Sequence, residues 1–300
     1  MIPVKDYSIK SGIDANELVR QMEASGGFTS KKLAVGADIV KRMVGDKDSL
    51  NFLSFPADII ATGTRGVIRD MIKEKWFDVV ITTCGTLDHD LTRSFKDYYH
   101  GSFDMDDAEL HKKGINRLGN ILVPNESYGL VIEEKMRELL KELPQKELAT
   151  YELVWEIGKT LKSDSIMYWC WKNKIPMIVP GITDGAVGYQ LWQYSQNHDF
   201  KINVLKDEKL LSDLVWNAKR SGALIIGGGI SKHHVIWHSQ FRGGLNNVVY
   251  ITTAQEYDGS LSGARTREAI SWGKINEKAK HITIEGDATV ILPIIFAALI

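Results

Sequence analysis

Apolar residues along this chain gather in short unbroken runs, and most runs end in small or polar residues that lead into a helix-like pattern. Phe77 to Thr83 (FDVVITT) enters Cys84-Gly85-Thr86 and then a polar helical stretch. Ile175 to Val179 leads to Pro180-Gly181 and Thr183-Asp184-Gly185. Ala223 to Ile226 reaches Gly227-Gly228-Gly229, with Ser231 as candidate N-cap of a helix through His238. Val248 to Thr252 and His281 to Ile284 repeat the theme, and the second opens a helix near Asp287. Runs without polar alternation suit strands buried on both faces, as parallel sheets require. Alternation with helices predicts an α/β fold, a doubly wound and mainly parallel sheet with helices on both faces. In such sheets ligands sit outside the carboxyl ends of the strands. The polar stretch from Tyr99 to Asn116, before the apolar Ile121 to Val123, reads as an excursion. No linker or repeat interrupts the chain, so residues 1–300 read as one domain.

Composition narrows the classes. Apolar content is 44% and charged content 25%, ordinary for a folded globular protein. The 37 basic and 38 acidic residues leave a formal charge of −1, with no basic footprint for nucleic acid. Cys84 and Cys170 are too few for a disulfide framework or a cysteine zinc site, which points to a reducing, cytoplasmic setting and no metal. The charged Met1 to Lys10 does not read as a signal peptide. Ala288 to Ile300, interrupted by Pro293, is shorter than the roughly 20 apolar residues of a bilayer span and reads as a buried terminal helix.

Four features carry candidate chemistry. The glycines 227–229, set between strand and helix, let a ligand approach the backbone, and the helix N-terminus favours an anion such as pyrophosphate. His233 and His234 begin the same helix; they point about 100° apart and do not share one metal, and the helix N-terminus favours the neutral imidazole. Glu256-Tyr257-Asp258-Gly259-Ser260 and Ser262-Gly263-Ala264-Arg265 follow a strand and offer a carboxylate and small residues for ribose hydroxyls or an amine. Lys274, in Ser271-Trp272-Gly273-Lys274, is a nucleophile if the tryptophan desolvates its amine. Each also has an ordinary structural reading: a tight turn, a packed histidine, a capped loop, a solvated lysine. Cys84, on an exposed strand-end loop, has no base partner in the sequence to make it a thiol catalyst.

The blocks Gly227-Gly-Gly-Ile-Ser-Lys-His-His234, Tyr250-Ile-Thr-Thr-Ala-Gln-Glu-Tyr-Asp-Gly-Ser260 and Glu268-Ala-Ile-Ser-Trp-Gly-Lys274 occur in the order and spacing of the deoxyhypusine synthase family, which this chain resembles from about Gly26 onward. Thr82-Thr-Cys-Gly85 with Asp90, Pro124-Asn-Glu126, Thr183-Asp-Gly185 and Gly286-Asp-Ala288 add to the likeness, and Thr83 to Asp90 looks like the archaeal branch. The resemblance implies a Rossmann-like domain that uses NAD to transfer the aminobutyl group of spermidine, through a lysine imine at Lys274, to the hypusine-containing translation initiation factor. It implies His233 as the catalytic partner of Lys274, and Glu268, Trp272, Gly259, Ser260, Asp88 and His89 as substrate contacts. For the dinucleotide it implies Asp58, Thr83, Cys84, Gly85, Asp184, Gly228, Thr253, Ala254, Asp258, Ser262, Asp287 and Ala288. It also implies a homotetramer with active sites between subunits.

Departures keep other donors and acceptors open. Tyr189 and Leu261 stand where eukaryotic members carry polyamine-binding aspartates, and His89 replaces a glutamate. A dication needs carboxylates to offset its desolvation; Asp88, Glu256 and Glu268 remain. The alternatives are a related aminobutyl transferase acting on a small amine, as a homospermidine-forming enzyme does, or on another polyamine donor, and a non-catalytic NAD-binding subunit of the same fold.

Overall fold

In the computed structural model, which describes residues 1–143 and 146–300, the apolar runs become parallel strands as their pattern predicts. The chain divides into two compact units. One comprises Met1–Phe55, Trp76–Ile81 and Leu210–Ile300; the other comprises Pro56–Lys75 and Thr82–Lys209.

The first unit holds the helices α1 (Ala15–Ser25) and α2 (Phe28–Gly45), then strands β1 (Ser49–Ser54), β2 (Val79–Ile81) and β3 (Arg220–Ile226). After these come α3 (Gly229–Gln240), β4 (Leu245–Thr252), α4 (Thr266–Ser271), β5 (Ile275–Glu285) and α5 (Ala288–Leu299). The strands of this unit lie in the order β5-β4-β3-β1-β2, all parallel. Val248, Val249 and Ile251 of β4 are fully buried, each contributing roughly 1.5–3 kcal/mol by leaving water. Both faces are covered. A Cβ at Gly36 of α2 would meet the side chains of Ile284 and Val249, whereas the neighbouring Tyr250 lies under Lys232 of α3. Successive strand residues point to opposite faces, so α2 and α3 flank the sheet on opposite sides. The chain order reverses between β1 and β3, which makes their carboxyl ends the switch point where open α/β sheets bind ligands.

The sequence reading of boundaries needs correction in places. Helix α3 starts at Gly229 with Gly228 as its N-cap; Ser231 is buried inside its first turn, donating to the Gly228 carbonyl. β5 reaches back to Ile275 because its first half is a polar, mostly exposed stretch held by β4 through a register shift. Helix α5 does open at Asp287, whose carboxylate accepts from the Thr289 N–H and hydroxyl, and it buries one face while Val290 stays exposed. No described helix is long and apolar enough to cross a membrane.

The second unit is mainly helical, with a three-stranded antiparallel sheet in the order Tyr99–His100, Ile121–Pro124, Ile115–Leu118. The polar excursion from Tyr99 to Asn116 therefore carries structure of its own, including the helix Asp107–Lys112. Its core contains a buried carboxylate, Asp90. That group accepts from Arg65 Nε at 2.7 Å, from the Ser165 hydroxyl and from the Ile166 and Met167 N–H groups. It thereby caps the helix Ile166–Asn173 and neutralises a buried guanidinium together.

Candidate active site

Lys274 is aimed by the way α4 ends. Gly273 adopts the left-handed conformation at φ +66°, its N–H reaches the Ile270 carbonyl, and the Lys274 N–H reaches the Ala269 carbonyl. These two bonds form the Schellman arrangement that closes helix C-termini, and its left-handed residue is usually glycine because a Cβ is penalised there. On the other side the Lys274 carbonyl accepts from Leu245 N–H, at the edge of the sheet. The sequence Ser-Trp-Gly-Lys is thus a helix stop that fixes the lysine backbone at both ends.

The Lys274 side chain is 9% exposed, and its Nζ lies 5.1 Å from the centre of the Trp272 ring. Among the described residues that Nζ has no hydrogen-bond acceptor. Trp272 itself is 66% exposed and covers the lysine from outside. Together they line a cavity of about 180 Å³ with Glu268, Tyr250, Leu261 and Lys232. His233, one turn into α3, is exposed and stacks on Trp237. Its pKa is lowered, first by partial burial and then by the positive charge of Lys274, which keeps the imidazole neutral near pH 7. A neutral imidazole within electrostatic reach of an amine is suited to moving protons. His234, by contrast, turns its ring edge-on to His238.

Sequence reasoning did not single out Lys232 or Tyr250. Lys232 is 1% exposed and donates to the carbonyl oxygens of Leu261 at 2.7 Å and Ala264 at 2.8 Å, with its Nζ 4.0 Å above the Tyr250 ring. Burial pushes its pKa down to about 8. The Tyr250 hydroxyl is buried on the cavity wall with no hydrogen-bond partner among the described residues. The signal in the sequence for Tyr250 was a tyrosine within the aliphatic run Val248–Ile251.

The glycine turn stands at the switch point. Gly227 and Gly229 take φ +67°, and a Cβ at Gly228 would overlap the backbone and hydroxyl of Ser262, so only glycine lets that loop seat against the turn. Nothing lies within 4 Å of a Cβ built at Gly229, and the first turn of α3 has neither a side-chain cap nor an acidic residue. No N-cap side chain accepts from its first N–H groups, which leaves them available to an incoming phosphate. Nearby, the Ser54 hydroxyl is buried at the end of β1 without a partner among the described residues. These features fit a dinucleotide.

Around the turn, Thr253, Asp258, Gly259 and Ser260 are exposed and Ala254 and Ser262 half-buried. Asp258 accepts from Ser260 N–H, which shapes the loop. Asp287 spends its carboxylate on the α5 cap, and Ala288 is buried behind it.

The remaining predicted residues belong to the second unit. Cys84 is fully buried at the start of the helix Cys84–Thr92, not on an exposed loop, and burial drives its thiol up to about 12. It is no nucleophile. Gly85 packs against Ala57, and Gly185 against Cys84 and Asp88; a Cβ at either would come within 3 Å of them. Asp88 is 0% exposed, and its oxygens accept from Tyr128 Oη, Ala186 N–H and Val187 N–H. It caps the helix Ala186–Ser195, so most of its acceptor capacity is engaged within the protein. His89 lines a cavity of about 600 Å³ with Tyr128, Arg117 and Glu133, and burial holds its pKa down at about 4. Thr83 is half-buried, and Asp58 and Asp184 are exposed.

A model of the deoxyhypusine synthase family matches residues 17–299. A relative from Picrophilus torridus named "Probable deoxyhypusine synthase" is 58% identical over 299 residues, covering 98% of this chain and 96% of its own. Relatives of the same name from Thermoplasma acidophilum and Ignicoccus hospitalis are 54% and 49% identical, covering 98% and 99% of this chain and 96% and 95% of theirs. Among solved structures, an Entamoeba histolytica protein assigned as a deoxyhypusine synthase superposes with TM-score 0.66 at 19% identity, covering 98% of this chain and 96% of its own, a likeness of fold. With a family model across both units and relatives this similar over nearly their full length, the chain belongs to the deoxyhypusine synthase family.

Proposed function

We propose that this enzyme transfers the aminobutyl group of spermidine, or a related polyamine, through an imine on Lys274 to a lysine of the hypusine-containing translation initiation factor. The observation that carries it is the Lys274 amine: shielded by Trp272, free of hydrogen-bond acceptors among the described residues, and set in a cavity with Glu268. An amine held this way attacks a carbon–nitrogen double bond without first breaking an ion pair. Glu268 carries the opposite charge to a substrate ammonium, and the Trp272 ring suits the alkyl chain and its cationic ends. His233, neutral beside Lys274, takes and returns the proton that moves when the amine adds and 1,3-diaminopropane leaves.

The reaction needs a hydride acceptor that also gives the hydride back, and NAD supplies that chemistry. The α3 N-terminus at Gly228 would hold its pyrophosphate, with Ser262, Thr253, Ala254, Asp258, Asp287 and Ala288 around it. Asp58, Thr83, Cys84, Gly85 and Asp184, all in the second unit, are the further dinucleotide residues that the family resemblance suggests, with Cys84 buried and Gly85 packed against Ala57.

That one family model spans residues 17–299 supports reading 1–300 as one functional domain. Ile230, Trp237 and Phe241 form an exposed apolar stripe on the helix that carries His233, which supports a homotetramer with its sites at subunit contacts. The balanced charge and the two buried free thiols suit a cytoplasmic enzyme. One observation favours a second reading: Leu261, where eukaryotic members carry an aspartate, lines the lysine cavity, so a different polyamine or a small-amine acceptor suits that wall better.

Mass spectrometry after incubation with NAD and spermidine, with and without the translation factor, each reaction quenched with borohydride at the end, tests this. The expected result is a butylamine adduct on Lys274 that passes to the factor's lysine. An adduct that moves only to small amines would establish the second reading, and none with any polyamine would overturn both.

A further inference from the structure

A buried lysine is expensive to keep. Removing an ammonium from water costs several kcal/mol unless hydrogen bonds and opposite charge offset it, and a methionine of similar size would fill the same space at no such cost. Lys232 nonetheless sits 1% exposed beneath the loop that follows β4. Its acceptors are the Leu261 and Ala264 carbonyls, which bracket Ser262 and Gly263. The bracketed residues are held from two further sides. Ser262 lies against Gly228, and Gly263 is so close to the Gln255 carbonyl that no side chain fits there. Lys232 therefore supplies the third hold, from below, on a segment that touches the glycine turn at one end and lines the Lys274 cavity at the other. The groups facing it are Arg265 and Glu268, Tyr250 from β4, and Lys274 across the cavity. Glu268 stabilises its charge and Arg265 opposes it.

We infer that Lys232 is a positioning residue for the transfer reaction: it clamps the 259–265 loop in the one shape that serves both the glycine turn and the Lys274 cavity. This rests on the reading of that loop as a cofactor and substrate contact. Lys232 takes no proton from the substrate: the ammonium has no lone pair, two of its donors are held by backbone carbonyls, and its Nζ lies over the Tyr250 ring. Its effect is on binding geometry. Without it, two partly or fully buried carbonyls lose charge-assisted bonds and the loop samples other shapes.

The test compares the unmodified protein with Lys232→Met, Lys232→Arg and, as a separate control of the loop reading, Ser262→Ala. Tryptic cleavage after Arg265, buried in the clamped loop, is followed with no ligand present; KM for NAD and for spermidine, and kcat, are measured from steady-state transfer to the translation factor's lysine. Folded Lys232→Met should be cleaved about tenfold faster and show both KM values raised about tenfold, the loss expected for one charged hydrogen-bond set, with kcat at saturation little changed. Lys232→Arg, which keeps a cationic donor, should recover part of each. A Lys232→Met protein with unchanged cleavage or unchanged KM overturns the inference, as does a loss confined to kcat. If Ser262→Ala also leaves the KM for NAD unchanged, the loop reading itself fails and the inference with it; if Ser262→Ala raises that KM and Lys232→Met does not, the loop reading stands and only the clamp is refuted.

Discussion

Replacing Gly273 by alanine isolates what the helix stop contributes to catalysis. Gly273 sits at φ +66°, and nothing lies within 4 Å of the position its Cβ would take, so the substitution adds no clash. The cost is conformational alone, roughly 1–2 kcal/mol for an L-residue held in the left-handed region. In a chain of this size each kcal/mol lowers the melting temperature by about 2–4 °C. Two responses are open to the variant. It can pay the strain and keep the two closing bonds, in which case stability falls and the trapping rate at Lys274 hardly moves. It can instead relax Gly273 out of the left-handed region, which breaks the Lys274 N–H bond to Ala269 and shifts the lysine. A displacement of about 1 Å at a reacting group costs on the order of a hundredfold. The turn is short and exposed at Ser271, Trp272 and Gly273, so relaxation is the cheaper route, and a fall of about tenfold or more in borohydride-trapped adduct is expected at temperatures where the variant is folded. Gly273→Asn, which tolerates the left-handed region, should fall less. Scanning calorimetry alongside the trapping assay separates the cases. An alanine variant with an unchanged melting temperature and rate would show that the glycine turn does not aim the lysine.

Lys274→Ala should lose the trapped adduct entirely yet melt within about 1 kcal/mol of the parent, because no described hydrogen bond depends on that amine; NAD binding measured by tryptophan quenching should persist. Asp90→Ala should destabilise the second unit by about 3–5 kcal/mol, since Arg65 would be left buried without its carboxylate; denaturant unfolding reads this, and a loss under 1 kcal/mol would contradict the network. His89, whose pKa falls from 6.5 to about 4 on folding, takes its proton more readily in the unfolded chain, so its contribution to stability is present above pH 6.5 and lost as pH falls towards 4. His89→Gln should flatten the melting temperature against pH across that window, and an unchanged slope would refute the assignment.

Much of the fold was legible because its cause is local. Strands buried on both faces need unbroken apolar runs, and β3 and β4 have them. The glycine turn was equally visible, since left-handed backbone at Gly227 and Gly229 leaves its mark in residue choice, whereas the helix stop at Gly273 emerged only from the structure. What escaped depended on partners distant in sequence. The first half of β5 is polar because it is exposed, and it is a strand only through β4. The capping of the helix Ala186–Ser195 by Asp88, through the N–H groups of Ala186 and Val187 nearly a hundred residues on, has no local trace.

Lys232 shows why a motif match alone leaves such roles unassigned. It stands in the Gly-Gly-Gly-Ile-Ser-Lys-His-His block, where the glycines and histidines have evident chemistry and a lysine is by default a solvated charge. Only burial reverses that default. Once the ammonium is enclosed, its hydrogen bonds must be found nearby, and they lie on carbonyls about thirty residues away, in the loop between the glycine turn and the reactive lysine. The block that forms the dinucleotide-type turn thus also carries the tether of the loop that meets it. A change in either should then be felt at both the glycine turn and the Lys274 cavity, and single substitutions there should move the two KM values together.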